Sequence, residues 1–261
     1  MAPKIGLIGI VSKELQEDLW GTLERVAKIG YQGMEGAGGL GARSGIPMAE
    51  VKQKLAALGL HPIAGSVRLP SEPADQDRSI ARAKEAGCKY IIDYYAPVES
   101  KDQVLRTAEM LDAFGARCRK EGLSFCYHNH NHEFAKFDGQ YALDILMANT
   151  DPKNVLVELD IMWVTYGGAD PAAVIRQYAG RCPILHIKDV VVVPGGADTG
   201  NERKDVQFTE VGTGVVKLKA AMRAARDCGV EWAVVEQDKM RDLSPMDSIQ
   251  VSYTNLKKAL G

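Results

Sequence analysis

The sequence has no Cys-x-x-Cys pair and no Gly-x-Gly-x-x-Gly after its first apolar run. Nor does any apolar stretch reach the roughly 18 residues of a membrane span. The cysteines number five, at 88, 118, 126, 182 and 228. That odd count and spacing speak against both a disulfide framework and a thiolate zinc site. The missing glycine fingerprint weakens a dinucleotide-binding reading. No charge of one sign is in surplus: 32 Lys+Arg stand against 34 Asp+Glu, a net of −2, and no run of like charges makes a basic stripe. Bulk nucleic acid is bound by displacing counterions with such a surplus, so a small or neutral partner fits better. Reduced thiols predict the cytosol. So does an N-terminus, Met1-Ala2-Pro3-Lys4, that enters an apolar run without a signal-cleavage pattern. No linker or compositional shift divides the 261 residues, enough chain to bury a large core without staples.

What the sequence does have is a repeat. An amphipathic segment ends in glycine and an apolar run follows, at Gly30, Gly59, Gly87, Gly122 and Gly229, with a weaker instance at Gly180. Glycine just past a helix takes the left-handed conformation at little cost. Apolar runs at 4–10, 31–35, 61–67, 89–95, 123–130, 155–161, 183–189 and 232–236 mark eight strands. Several are continuous rather than alternating, as in parallel strands covered on both faces. Between them, Glu17–Lys28 carries Leu19, Leu23, Val26 and Ala27 on one stripe, and Ser100–Lys120 repeats apolar residues in a 3–4 rhythm. Pro47, Pro171 and Pro245 mark helix starts. Eight alternations predict an α/β protein, a single (β/α)₈ TIM barrel over 1–261, with a doubly wound open sheet as the alternative. The connection over 190–210 is too long for an ordinary βα loop; Pro194 and its glycines suit hinges, and it is expected to act as a lid over the barrel mouth.

Active-site groups of a barrel stand at the C-terminal ends of its strands. Those ends read Glu35; Ser66 and Arg68; Asp93-Tyr94-Tyr95; His128-Asn129-His130-Asn131-His132-Glu133; Glu158-Leu159-Asp160 with Trp163 beyond; His186-Ile187-Lys188-Asp189; and Glu236-Gln237-Asp238. Period-2 alternation pairs His128 with His130, Glu158 with Asp160, His186 with Lys188 and Glu236 with Asp238. Four of the five histidines thus fall at two strand ends, with acids on neighbouring strands. Imidazole and carboxylate together bind Mn²⁺, Mg²⁺, Zn²⁺ or Co²⁺. Each residue also has a plainer reading. Glu158 suits an ion-pair partner as well as a substrate contact, Trp163 suits packing as well as sugar stacking, Asp189 and Asp238 suit loop caps, and Cys126 suits core filling.

The segments Tyr127-His128-Asn129-His130-x-x-Glu133-Phe134, Glu158-Leu159-Asp160-x-x-Trp163, His186-Ile187-Lys188-Asp189, Val211-Gly212-x-Gly214 and Val235-Glu236-Gln237-Asp238 come in a familiar order. Together with Gly30-Tyr31-Gln32-Gly33-Met34-Glu35, they resemble the sugar phosphate isomerase/epimerase family of xylose isomerase-like TIM barrels. The resemblance implies one divalent ion held by groups from strands 5 to 8. Asp160, His186 and Glu236 match the last three positions. At the first, His128 stands where many relatives have a glutamate, and Glu133 is the carboxylate alternative. It further implies proton transfer at a keto sugar through an enediolate. Glu236 would serve as base, Lys188 would polarise a substrate oxygen, and His128 or Glu133 would complete the catalytic set. His130, Glu158, Trp163, Glu35 and Arg68 would contact substrate. Elimination from a keto-inositol or 3-keto-glycoside is the alternative outcome; a non-catalytic sugar-binding barrel and an apurinic endonuclease-like enzyme are more remote. The partner implied is a small sugar, with neither nucleic acid nor membrane, and a homo-oligomer is compatible with these features.

Overall fold

The computed structural model describes residues 1–195 and 205–261. β1 (Lys4–Leu7) leads to helices α1 (Ser12–Glu17) and α2 (Leu19–Ile29), and β2 (Gly33–Met34) to α3 (Leu40–Ser44) and α4 (Met48–Ala57). β3 (His61–Pro62) and β4 (Ala64–Val67) precede α5 (Pro73–Ala86), and β5 (Tyr90–Asp93) precedes α6 (Lys101–Lys120). After β6 (Ser124–His128), a small hairpin of β7 (Lys136–Phe137) and β8 (Gln140–Tyr141) leads to α7 (Ala142–Ala148). β9 (Val155–Asp160) is followed by α8 (Ile161–Tyr166) and α9 (Pro171–Gln177). β10 (Ile184–Ile187) continues into β11 (Asp189–Val192), whose antiparallel partner is β12 (Val206–Thr209). α10 (Leu218–Asp227), β13 (Trp232–Val235) and α11 (Pro245–Leu260) complete the chain. Ser100 caps α6, its hydroxyl accepting the Gln103 N–H at 3.3 Å, and Pro171 and Pro245 occupy first helical turns.

Nine parallel strands form a nearly closed barrel in the order β3-β2-β1-β13-β10-β9-β6-β5-β4. β3 and β4 are one extended segment interrupted at Ile63. The Ile63 N–H donates to the Met34 carbonyl at 2.9 Å, and the Ile63 carbonyl accepts from the Tyr90 N–H at 3.2 Å. That residue ties the two edges together, so the apolar runs legible in the sequence are the barrel's strands. An open doubly wound sheet is excluded.

The pleat sends every second residue of each strand inward. Ile63, Ala64, Tyr90, Ile92, Cys126, Ile184, Trp232 and Val234 form a separate apolar cluster that fills the barrel. A larger cluster lies between strands and helices. Two inward positions have no side chain because their neighbours take the room. A Cβ on Gly6 would lie 2.5 Å from Ile63 Cδ1, and one on Gly33 would lie 2.8 Å from the Trp232 ring. Cys126 fills core, and burial pushes its thiol well above the ordinary range. All five cysteines are free thiols. No helix among the described residues is long and apolar enough to cross a membrane.

The connection after β10 differs from the expected loop. Its two arms are strands, paired from Asp189↔Thr209 to Val192↔Val206. The middle of the expected lid, 196–204, lies outside the described residues. At the base of the hairpin, Asp189 is buried. Its Oδ1 accepts the Val190 and Val216 amides at 3.0 Å each, and its Oδ2 accepts those of Gly212 at 3.0 Å and Gly214 at 2.9 Å. This is the capping role read from sequence, and folding of 212–216 around it delays the next helix to Leu218. Asp189→Ala leaves four amides without their acceptor. It is expected to lower the unfolding free energy in urea by about 3 kcal/mol; a loss under about 1 kcal/mol would reject the clamp.

Candidate active site

Above the apolar plug, the same inward positions turn polar. β10 carries two cations into the mouth. His186 Nδ1 lies 2.9 Å from Glu236 Oε2, and its Nε2 lies 3.1 Å from Glu35 Oε2 and 3.3 Å from Glu158 Oε2. Two residues on, Lys188 Nζ is 2.8 Å from Glu236 Oε2, 3.3 Å from Asp160 Oδ2 and 2.7 Å from Asp238 Oδ1. From β6, His128 Nδ1 is 2.9 Å from Glu158 Oε2 and its Nε2 is 3.9 Å from Asp160 Oδ2. Local structure fixes each group. Asp160 Oδ1 caps α8 by accepting the Met162 and Trp163 amides at 2.9 and 3.0 Å, which directs Oδ2 toward Lys188. Asn129 Oδ1 accepts the Asp160 N–H at 3.1 Å and pins the end of β9 to β6. The Tyr94 hydroxyl donates to Glu35 Oε1 at 3.0 Å.

These contacts separate the protonation states of like groups. Burial, with Glu35 alongside, pushes the Glu158 carboxyl up to about 8. Burial raises Asp160 to about 6, against the pull of Lys188 and His186. Burial works the same way on Glu236, but Lys188 and His186 overcome it and hold that carboxyl well below the usual range. Burial would also discharge His186, yet Glu158, Glu35 and Glu236 keep it protonated. His128 is driven the other way by burial and by the neighbouring His186, His130 and Lys188, so it is neutral.

The sequence-predicted residues fall into two groups. Glu133 is turned away from Asp160, His186 and Glu236. The Tyr127 hydroxyl donates to its Oε1, its Oε2 accepts the His130 N–H at 2.9 Å, and His132 Nε2 lies 3.2 Å from Oε1. The 3₁₀ turn His132–Phe134 folds it back onto β6, leaving His128 as the β6 side chain that faces Asp160. His130 packs 5.0 Å from the His128 ring and 5.7 Å from Trp163. Trp163 is buried among His130, Tyr166 and Phe208, with Lys188 Nζ 5.8 Å from its ring centre. Arg68 is exposed, its guanidinium 5.1 Å from the Tyr95 ring centre. Asp238, which suited a loop cap, pairs with Lys188 instead. Sequence reasoning missed Tyr94 as a site residue. It shares parity with Tyr90 and Ile92, which the structure shows to face inward.

The donor set suits a divalent cation. One ligand atom each from Asp160, His186 and Glu236 lie within 4.8 Å of one another, as do those of His128, Glu158 and His186. Two carboxylates and an imidazole from successive strands are a mixed oxygen–nitrogen set for such ions. Asp160 Oδ2 is buried and accepts no hydrogen bond among the described residues, so it has a lone pair to give. His130, His132 and Glu133 form a second group with ligand atoms within the same span.

Among the described residues, Lys188 is the cation in contact with all three of Asp160, Glu236 and Asp238. Lys188→Met removes the cation and leaves the acids facing one another. The expected loss is about 3–5 kcal/mol in chemical denaturation, as for other broken buried pairs. A variant as stable as the parent would reject this electrostatic account.

The family model for a xylose isomerase-like TIM barrel matches residues 23–258. The inosose dehydratase of Geobacillus thermodenitrificans is 26% identical over 150 residues, 55% of this chain and 50% of that protein. The chain thus spans about half the length of the curated relatives it matches. Crystal structures of two proteins share the fold. A sugar phosphate isomerase/epimerase from Parabacteroides distasonis superposes with a TM-score of 0.80 at 21% identity, over 100% of this chain and 96% of that one. The IOLI protein with a bound zinc atom gives 0.74 at 17% identity, over 98% of each chain. With the barrel closed through Ile63 and nearly its whole length matched, the chain belongs to the xylose isomerase-like TIM-barrel family.

Proposed function

We propose that the whole chain acts as one barrel domain, a divalent-metal-dependent isomerase or epimerase of a keto sugar or sugar derivative. The observation that carries this reading is the convergence of Asp160, His186 and Glu236 within 4.8 Å, with Lys188 in contact with two of them. The zinc atom of the structurally similar IOLI protein supports a metal in such a barrel. Here Asp160, Glu236 and the imidazole of His186, which would give up its proton on binding, would hold the ion, with His128 beside them. Bound there, it would supply Lewis-acid polarisation of a carbonyl and its neighbouring hydroxyl.

The remaining work falls to this chain's own groups. Glu236 is ionised and its side chain is 22% exposed, so it reaches the open mouth. It stands to take the proton from the carbon beside the carbonyl. Lys188 is kept protonated by Glu236, Asp160 and Asp238 despite its burial, and donates to a substrate oxygen. A substrate oxygen that draws Lys188 away from Glu236 raises that carboxylate's proton affinity, as a base requires. Return of the proton to the same carbon from the opposite face gives an epimer, and return to the neighbouring carbon gives an isomer. A second reading, loss of a β-hydroxyl, is favoured by the similarity to inosose dehydratases. All three share the first proton transfer through an enediolate.

Two measurements test this. In metal analysis, Asp160→Ala and His186→Ala are expected to lose the divalent ion while circular dichroism shows the fold retained; full occupancy in both would sink the site. In deuterated water, the protein is expected to incorporate label beside the carbonyl of at least one member of a panel of ketoses and 3-keto sugars. Glu236→Gln should lower that exchange by about 100-fold or more, and an unlabelled panel would reject the reading.

A further inference from the structure

The turn beyond β6 holds a second constellation that the proton-transfer centre does not use. His130, His132 and Glu133 fall within one short stretch, and a ligand atom from each stands within 4.8 Å of the others. The turn is fixed by its own backbone. The Phe134 N–H donates to the Asn131 carbonyl and the Ala135 N–H to the His132 carbonyl, both at 3.1 Å. It adjoins the candidate site without sharing a ligand with it. Asn129 joins the two, accepting the Asp160 N–H at 3.1 Å through Oδ1 and donating from Nδ2 to the His130 carbonyl at 3.2 Å. On the outer side, the His132 ring centre is 4.8 Å from that of the exposed Tyr95.

Glu133 is the group that calls for an explanation. Its side chain is wholly buried, yet among the described residues neither lysine nor arginine pairs with it. The basic group it meets is His132, whose Nε2 lies 3.2 Å from Oε1. Burial pushes the carboxyl above its ordinary range, and the His132 ring leads the influences that pull it back. Buried carboxylates are normally paired with a full charge or coordinate a metal. The Tyr127 hydroxyl donates to Oε1 and the His130 N–H to Oε2 at 2.9 Å, and they orient this carboxylate as outer partners orient a metal ligand. Each carboxylate oxygen has two lone pairs, so Oε2, with its one hydrogen bond, has another to give.

The donor types narrow the ion. Two imidazoles with one carboxylate suit zinc or cobalt, whereas magnesium and calcium prefer oxygen throughout. Three protein ligands leave the fourth position of a tetrahedral zinc open. The His132 side chain is 29% exposed, so water or an oxygen of a bound ligand has a route to that position. We infer that His130, His132 and Glu133 form a second divalent-cation site, of the zinc type, at the rim of the barrel mouth and independent of Asp160, His186 and Glu236. The competing account is a hydrogen-bonded His132–Glu133 pair with His130 packed beside it.

Zinc stoichiometry separates the two. The full chain, stripped with a chelator, equilibrated with Zn²⁺ alone and freed of unbound ion, is expected to retain two ions per chain in elemental analysis. His132→Ala and His132→Arg should each keep one and bind the other about 100-fold or more weakly. His132→Arg is the sharper variant, because it leaves a cation beside Glu133 but has no lone pair for a metal. In the parent chain, Zn²⁺ should also protect His132 from modification by diethyl pyrocarbonate, a readout that needs no variant. Two ions retained in His132→Arg, one ion in the parent that survives that substitution, or unchanged modification of His132 would overturn the inference. One ion lost in His132→Arg but kept in Asp160→Ala and His186→Ala would leave it standing and overturn the centre proposed above. A parent that retains no zinc overturns it as well.

Discussion

The mouth of the barrel depends on two cations that one strand sets side by side. Glu35, Glu158, Asp160, Glu236 and Asp238 come from three strand ends, and each lies within 3.3 Å of His186 or Lys188. Burying even one such charge in isolation costs several kcal/mol, and a ring of like charges costs more. Because β10 pairs with both β9 and β13, its two cations sit between the acids of its neighbours. Carboxyl groups outnumber cations five to two in this group and stay in excess with Glu158 protonated, and that imbalance is what makes a divalent cation a complement to the site rather than an intruder.

The pleat that places these charges also builds the support under them. On β5, β6, β9, β10 and β13 the inward residues are Tyr90 and Ile92, Cys126, Leu156, Ile184, and Trp232 with Val234. One step further along the same parity stand Tyr94, His128, Glu158, His186 and Glu236. A strand that slipped by one residue would send its polar group into the helix layer. The apolar plug thus fixes the register in which the polar crown can exist.

That parity explains how much could be read from the sequence. The runs of apolar residues and the glycines behind each helix were enough for the barrel, because both report local backbone geometry. Alternation grouped His186 with Lys188, and Glu158 with Asp160. It could not say which parity faces inward, since strands covered on both faces are apolar throughout, and so Tyr94 was passed over beside Asp93 and Tyr95. Glu133 was illegible for a different reason. It lies beyond the strand, where a short 3₁₀ turn rather than the pleat decides direction, and that turn returns it to Tyr127. The strands β11 and β12 were hidden because Pro194 and the glycines dominate the reading of their segment, although Val190, Val191 and Val192 are β-formers.

The cations do one thing more, which the fold alone would not. Glu158 and Glu236 are the same residue type on strands that flank β10, and burial raises the proton affinity of both. Glu236 touches both Lys188 and His186 and is held ionised; Glu158 has His186 but also the carboxyl of Glu35, and rises to about 8. Near neutral pH one glutamate is therefore an acceptor and the other holds a proton. Pairs of carboxyl groups whose surroundings drive their proton affinities apart are how one site runs acid and base chemistry together. A reaction that removes a proton from one face of a substrate and returns one to another can draw on both. The difference between the two comes from their neighbours: the second cation, two residues on from His186, that Glu236 reaches and Glu158 does not, and the Glu35 carboxyl that stands beside Glu158.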